Sequence, residues 1–219
     1  MMRSMLVTIQ GRLPLLMHSS QTANPMNIYT KAIKAISSKR QKTDDDYERL
    51  ARIEWEAGLY FDEEGHIAIP GYVMEAALRR GATANKRGRA IDVGARVAEE
   101  YIRLRFPGDD IRRDARPETI DDIPSASLER LFVPEHIDSR IVNVDRKRIM
   151  RTRPRFDTWS CEFSVIYRPD KIDERHLVES ITVAGDQVGI CDFRPRYGLF
   201  DVINAVDDSE EKKKKGGTR

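Results

Sequence analysis

The residues best suited to chemistry in this sequence are basic side chains gathered in one short segment. Residues 140–155 carry one acidic residue, Asp145, and seven basic ones: Arg140, Arg146, Lys147, Arg148, Arg151, Arg153 and Arg155. If the segment forms strands, we expect alternation to project Arg146 and Arg148, together with Arg151, Arg153 and Arg155, from one side, where guanidinium groups can bind phosphates. This pattern predicts a nucleic-acid-binding surface. A solvated hairpin face without a ligand is the alternative, because 34% of the chain is charged.

Two smaller basic groups would enlarge this surface if the fold brings them close to it. They are Lys86, Arg87 and Arg89, and Lys31, Lys34, Lys39, Arg40 and Lys42. Phe156 and Trp159 follow the arginine-rich segment. They are candidates either for stacking on bases or for packing in the core.

A second candidate binding element is the segment VGICDFRPRYGLFDV, residues 188–202. It has two glycines and, between them, two arginines: Gly189, Gly198, Arg194 and Arg196. The glycines allow tight turns and a close approach to a ligand, and the arginines could bind phosphates. The alternative is a structural turn whose arginines pair with Asp192 or Asp201. The chain has no GK[ST] sequence, and no GxGxxG opens a helix, so nucleotide hydrolysis and dinucleotide binding lack support.

Candidates for catalysis are few. Asp44, Asp45 and Asp46 could bind a divalent cation, but an acidic run at a helix start looks the same, and we favour a helix cap with Asp44 as the N-cap residue. Cys161, Cys191 and four scattered histidines show no metal-ligand spacing, so we expect no metal site and no cofactor. The balance favours a protein without catalytic activity.

Length and composition bound the class of protein. The chain has 219 residues, 40% of them hydrophobic, which is typical of one globular domain. No stretch approaches the ~18 apolar residues that span a bilayer, and the first residues lack the pattern of a signal peptide, so we expect a cytoplasmic protein. Residues 207–219, DDSEEKKKKGGTR, are of low complexity, and we expect them to be disordered.

The spacing of apolar residues predicts the elements of secondary structure. In order, these are a strand over 4–19 interrupted at Gly11 and Pro14, helices over 28–36 and 44–55, a hairpin of 59–61 with 66–69, a helix from Gly71 that ends at Gly81, a strand over 101–106, a surface loop over 107–123, two strands within 131–156, a strand over 159–168, a helix over 176–189 and a strand over 197–206. This order predicts an α+β fold with an RRM-like or ferredoxin-like core, in which helices cover one face of an antiparallel sheet.

Three segments carry a resemblance to a known family. The first strand ends in PLLMHSS, and HIAIPGYVMEAALRRGA combines a strand, an IPG turn and a helix ending in Arg79 and Arg80. The loop at 188–202 resembles the form apolar-Gly-x-Gly-x-x-Arg-x-x-Gly, except that Cys191 stands where glycine is often found and that three residues rather than two separate Arg194 from Gly198. In this order they resemble the RAMP superfamily of CRISPR-associated proteins, in particular the backbone subunits that line guide RNA.

The resemblance implies one RAMP-like domain over residues 1–206, with finger-like and thumb-like insertions at about 21–56 and 90–155. It implies that the partners are guide RNA, other effector subunits and further copies of the chain in a head-to-tail filament, with the target strand as another candidate and no membrane. In RNA-cleaving relatives an aspartate before the IPG turn serves cleavage, and Asp44–Asp46 lie in a comparable stretch without a motif that fixes the match.

The first functional hypothesis is therefore a non-catalytic subunit that binds the sugar-phosphate chain of a guide RNA without reading its sequence. The residues expected to bind nucleic acid are Arg79, Arg80, Arg146, Lys147, Arg148, Arg151, Arg153, Arg155, Gly189, Arg194, Arg196 and Gly198. The alternatives are a phage or mobile-element protein that binds or anneals single-stranded DNA, and a metal-dependent RNA nuclease that uses Asp44–Asp46.

Overall fold

The structure, a computed structural model, describes residues 1–144 and 147–207. The helices are α1 (Ile28–Ser37), α2 (Asp44–Gly58), α3 (Gly71–Ala84), α4 (Gly88–Gly94) and α5 (Glu174–Val183). The strands are β1 (Arg3–Gly11), β2 (Leu15–Leu16), β3 (Ala68–Pro70), β4 (Ala95–Val97), β5 (Tyr101–Arg103), β6 (Ile137–Val144), β7 (Lys147–Phe156), β8 (Ser160–Tyr167) and β9 (Phe200–Asp207). Short 3-10 turns lie at Ser20–Ala23, Ile120–Asp122, Ala126–Leu131 and Pro134–His136, and a π-helical turn, Ala184–Val188, follows α5.

The chain forms two compact units. The core unit comprises Met1–Leu15, Ala68–Pro107 and the chain from Thr158 onward; the inserted unit comprises Leu16–Ile67 and Gly108–Asp157. Residues 90–107, which the sequence analysis assigns to the second insertion, therefore lie in the core unit. Apart from Asp207, the tail for which we predict disorder lies outside the described residues. Within the described ranges, every helix is too short or too polar to cross a bilayer.

The core unit has ferredoxin-like topology. Its sheet has the strand order β4-β8-β1-β9, and each neighbouring pair is antiparallel. Along the chain the order is β1, α3, β4, β8, α5 and β9, so each helix connects two parallel strands that have a third strand between them. This arrangement confirms the predicted α+β fold, with an antiparallel sheet and helices on one face.

Alternation along the central strand β1 sets the two faces of the sheet. Met5, Val7 and Ile9 are fully buried, whereas Leu6 and Thr8 between them are half-buried. Side chains on successive strand residues point to opposite faces, so the buried residues Met5, Val7 and Ile9 share the face that the helices cover. They lie beside the inward residues of β8, with Val7 opposite Phe163.

Helix α3 does not end at Gly81, as the sequence pattern predicts, but continues to Ala84. Gly81 is buried, and a Cβ atom at this position would lie 2.3 Å from the carbonyl oxygen of Ser180 in α5 and 2.7 Å from the backbone nitrogen of Ala184. The glycine is therefore required by the close approach of two helices rather than by a helix end.

The hairpin predicted over residues 59–69 is mostly absent, because its second strand has a different partner. Phe61 and Ile67 form a single bridge in the inserted unit. The following residues, β3, pair instead with β5 in the core unit, with Ile69 opposite Ile102. Sequence alternation detects the strand but does not identify its partner.

The inserted unit joins its two chain segments through an apolar cluster and a buried carboxylate. Side chains of α1 and α2 pack with Ile123 from the second segment. Glu56, which is buried, accepts hydrogen bonds from the Tyr29 hydroxyl (2.8 Å) and from the backbone and hydroxyl of Ser125 (2.7 and 2.5 Å). Burial and the neighbouring Glu56 carboxylate raise the pKa of Tyr29. The buried carboxylate of Glu56 and the hydroxyl of Tyr29 are thus hydrogen bonded to each other, which offsets the cost of desolvation.

Gly81→Ala tests the packing of α3 on α5. Alanine is the better helix former, so propensity alone predicts a gain of up to about 1 kcal/mol in the free energy of unfolding. The close contact with Ser180 predicts the opposite result, because the added methyl group would overpack the helix interface and lower the free energy of unfolding by about 1–3 kcal/mol. Urea denaturation measures the difference, with Ala76→Ser on the exposed side of the same helix as the control, expected to change little. A more stable Gly81→Ala variant would contradict the packing.

Candidate nucleic-acid interface

The arginine-rich segment forms the antiparallel hairpin of β6 and β7. Its register is regular, with Arg140 opposite Arg151 and Asn143 opposite Arg148. Alternation therefore places Arg148 on the face opposite to Arg151, Arg153 and Arg155. The expectation that all these side chains project from one side is wrong, because even-numbered and odd-numbered residues of one strand face opposite ways.

Most of the described arginines in this hairpin are engaged within the protein. Arg140 pairs with Asp138, and Arg155 pairs with Asp157 at 2.6 Å. Arg153 is only 9% exposed. Arg148 is exposed. Arg146 and the side chain of Lys147 lie outside the described residues.

Arg151 connects the hairpin to α2. Its guanidinium donates to the carboxylate of Glu54, and the same carboxylate accepts the backbone N–H of Thr152 at 3.0 Å. Glu54 is buried, whereas Arg151 is half-buried. Sequence reasoning missed Glu54, because a single acid within a charged helix gives no signal that it faces inward.

The apolar surface of the hairpin also differs from the prediction. Phe156 in the inserted unit and Trp159 in the core unit, the candidates for base stacking, are both buried. The exposed apolar side chains are instead Ile141 and Met150, at 62% and 58% exposure, which lie opposite each other in the register.

The loop between α5 and β9 is held in a fixed shape by hydrogen bonds in the core unit. Gly198 donates its N–H to the carbonyl of Pro14 (2.8 Å) and accepts the N–H of Ile190 (3.0 Å). Gly189 and Gly198 have φ of +71° and +73°, and a Cβ atom at Gly198 would lie 2.1 Å from the carbonyl oxygen of Ile190. Both glycines are therefore required for the loop to close, as expected for residues in left-handed conformation.

The arginines of this loop lie near its tip. Arg196 is exposed and Arg194 is half-buried. Asp201, one of the carboxylates considered as their partner, pairs instead with Arg12 at 3.3 Å, and Arg12 also pairs with Asp186 at 3.0 Å. Arg12 therefore joins the chain before the loop to the chain after it. The sequence gives no signal for this role, because Arg12 is distant from both aspartates along the chain.

Cys191 occupies a position that favours glycine. Its φ is +61°, a conformation that residues with a Cβ atom rarely adopt. Glycine adopts this conformation without that steric cost. Burial raises the pKa of the Cys191 thiol to about 12, so the thiol is protonated at neutral pH.

The remaining basic candidates belong to different elements, and several of them pair with acidic residues. Arg79 and Arg80 are exposed on α3, and Arg79 pairs with Asp92 at 2.5 Å. Arg87, in the core unit, pairs with Glu179 at 3.0 Å. Lys39, in the inserted unit, pairs with Asp46 at 2.6 Å.

The run Asp44–Asp46 forms the first turn of α2, as expected for a helix cap, but the N-cap residue is Thr43 rather than Asp44. The Asp46 carboxylate accepts the N–H of Thr43 at 3.2 Å, and the Thr43 hydroxyl accepts the N–H of Asp46 at 3.2 Å. The hydrogen bond from Lys39 lowers the pKa of Asp46. Over residues 1–144 and 147–207, no group of three or more acidic, histidine or cysteine residues has a geometry that could hold a metal ion.

The fold and these surfaces define an α+β protein with a ferredoxin-like core that presents arginines on a rigid loop. No protein-family model and no curated protein matches the chain. Among solved structures, it is similar to a chain of the cryo-EM structure of the Type III-B Cmr-beta bound to cognate target RNA, with a TM-score of 0.45 and 10% sequence identity. The similarity covers 94% of this chain and 61% of that chain, so this chain spans about three fifths of its neighbour's length.

Asp46→Asn tests the capping role of the acidic run. We expect a lower melting temperature at pH 7, because the ionised carboxylate accepts hydrogen bonds from Lys39 and Thr43. The pKa of Asp46 is lowered in the folded state, so its stabilising effect is present above the ordinary value of about 3.9 and is lost as the pH falls through the folded-state value. Thermal melts of both proteins should converge at low pH. Asp45→Asn is the matched control, because it removes a charge from the same helix turn without removing a capping hydrogen bond, and it should lower the melting temperature less than Asp46→Asn does.

Proposed function

We propose that this chain binds guide RNA as a non-catalytic backbone subunit of a CRISPR-type effector complex. The observation that carries the proposal is the rigid loop at 189–198 on a ferredoxin-like core, with Arg194 and Arg196 near its tip. A guanidinium group can bind two phosphate oxygens at once, and it contacts every nucleotide in the same way. Such a loop binds the sugar-phosphate chain without reading the sequence.

The closed shape of the loop favours this function. Because the backbone at Gly189 and Gly198 is fixed by hydrogen bonds at both ends, little conformational entropy is lost when the arginines bind phosphates. Arg12 also helps to hold the two ends of the loop together, because it pairs with Asp186 before the loop and with Asp201 after it.

The hairpin contributes a smaller contact than its charge suggests. We propose Arg148, which is exposed, as its phosphate-binding residue, with Arg146 and Lys147 beside it in sequence. Arg151 and Arg155 are paired with carboxylates, and Arg153 is buried, so their main role is structural. Arg79 and Arg80 on α3 are further candidates for binding along the RNA.

The proposed partners are other effector subunits and further copies of this chain, arranged head to tail along the RNA. A heterologous interface of this kind extends for as long as the nucleic acid continues. Target RNA that pairs with the guide is a further proposed partner.

The metal-dependent nuclease has less support. Asp46, one of the three aspartates considered for binding a metal ion, is hydrogen bonded to Lys39 and Thr43 within the helix cap. A single-stranded DNA-binding protein would use the same phosphate contacts, so the choice between RNA and DNA depends on the 2′-hydroxyl and is decided by experiment.

Binding of labelled 30-nucleotide RNA and DNA, measured by fluorescence anisotropy over a range of salt concentrations, tests the proposal. We expect the double variant Arg194→Ala/Arg196→Ala to bind RNA more weakly at low salt. Removing two phosphate contacts should reduce the slope of log affinity against log salt by about 1.4, since each contact to a single strand contributes about 0.7. Arg148→Ala should reduce the slope by about 0.7.

The matched control is Arg130→Ala/Arg175→Ala, which removes the same charge from exposed positions outside the proposed surface. It should leave the slope unchanged. An equal loss of RNA affinity in both double variants would mean that binding depends only on the net charge of the protein. Tighter binding to DNA than to RNA would favour the single-stranded DNA-binding alternative, and no binding at low salt would exclude both nucleic-acid functions.

A further inference from the structure

Phe193, between the two glycines of the loop, has a conformation that an aromatic residue rarely adopts. Its φ is +55°, and its side chain is 38% exposed. In this left-handed region the Cβ atom crowds the backbone, a cost that glycine would not incur. The rest of the loop holds the residue in this strained state, and strained residues of this kind concentrate at binding sites.

The side chain of Phe193 has a defined neighbour. Its ring packs edge to face with that of Tyr197, with centroids 6.4 Å apart and planes at 71°. The backbone supports the same contact, because the N–H of Tyr197 donates to the carbonyl of Phe193 at 3.2 Å. A phenylalanine fixed in this way loses little side-chain freedom when a flat ligand packs against it.

The neighbouring charges indicate what kind of ligand this is. Arg194 directly follows Phe193, and Arg196 directly precedes Tyr197, so the aromatic pair encloses a short segment that carries two cations. A nucleotide presents an anionic phosphate and a flat base in close proximity. The arginines are suited to the phosphate and the aromatic rings to the base. An apolar protein surface would be complementary to the rings but not to the arginines.

We propose that Phe193, supported by Tyr197, is a stacking site for one nucleobase of the bound strand. The proposal rests on the proposed function, because the phosphates held by Arg194 and Arg196 bring the base to the ring. Stacking on an aromatic ring accepts every base, so the site adds affinity without adding sequence preference.

Oligonucleotides with abasic positions test this site separately from the phosphate contacts. We would compare a 30-nucleotide RNA with the same RNA lacking its bases, measuring affinity by anisotropy for the wild type and for Phe193→Gly. Glycine adopts positive φ without the steric cost of a Cβ atom, so this variant is compatible with the loop conformation while it removes the ring. Loop integrity is checked by an unchanged or higher melting temperature.

We expect the wild type to bind the base-bearing RNA about 5- to 150-fold more tightly than the abasic RNA, the range for one stacked base. Phe193→Gly should lose this preference while binding the abasic RNA as the wild type does. Phe193→Tyr should keep the preference. Tyr47→Ala, which removes an aromatic residue of 59% exposure from α2, is the control and should behave as the wild type.

The two proposals fail in different ways. If neither RNA binds to the wild type at low salt, the proposed function is wrong. If both RNAs bind and Phe193→Gly retains the full preference for bases, the function stands and the stacking site is overturned.

Discussion

The pairing of β1 with β8 on one side and with β9 on the other is the constraint on which the rest of the core unit depends. Because β1 lies between these strands, α3 crosses from the inner strand β1 to the edge strand β4, and α5 crosses from the inner strand β8 to the edge strand β9. Right-handed crossovers place both helices on the same face of the sheet, and the apolar residues of β1 face them. The same pairing brings residues 11–14 next to the end of the loop before β9. The hydrogen bond from Gly198 to Pro14 then fixes the loop, and with it Phe193 and the two arginines.

The arginine-rich hairpin shows how a protein can use its charge internally. Seven basic residues within sixteen suggest a strongly cationic surface, yet Arg140, Arg151 and Arg155 each lie against a carboxylate. The pair with Glu54 is partly buried, where the effective dielectric constant is lower and the attraction is stronger than at the surface. The charge available to a ligand is therefore smaller than the composition of the segment suggests.

Local patterns in the sequence predicted the elements that depend on local physics. Alternation predicted β1 and β8, helical spacing predicted α1 and α2, and the order of elements was enough to predict the ferredoxin-like core. Turn-forming glycines likewise predicted the loop at 189–198.

Features that depend on a distant partner could not be predicted. Gly81 looked like a helix end because its reason for being glycine, the approach of Ser180, lies about a hundred residues away along the chain. β3 pairs with β5 rather than with its sequence neighbour, and Glu54 is inward-facing only because β7 covers it. Alternation places Arg148 and Arg151 on opposite faces of β7 only if the strand has no bulge between them. The sequence does not show this, whereas the regular register of the hairpin does.

The central position of β1 also sets the order in which the chain can fold during synthesis. Thr8 of β1 lies beside Glu162 of β8, 154 residues later, so β1 is synthesised about 8 to 31 s before its partner β8 at typical rates of synthesis. The inserted unit completes its contacts earlier, because Ser125 and Thr152 both precede β8. Until β8 is made, β1 lacks the strands that pair with its two hydrogen-bonding edges, and an unpaired strand edge is a template for aggregation.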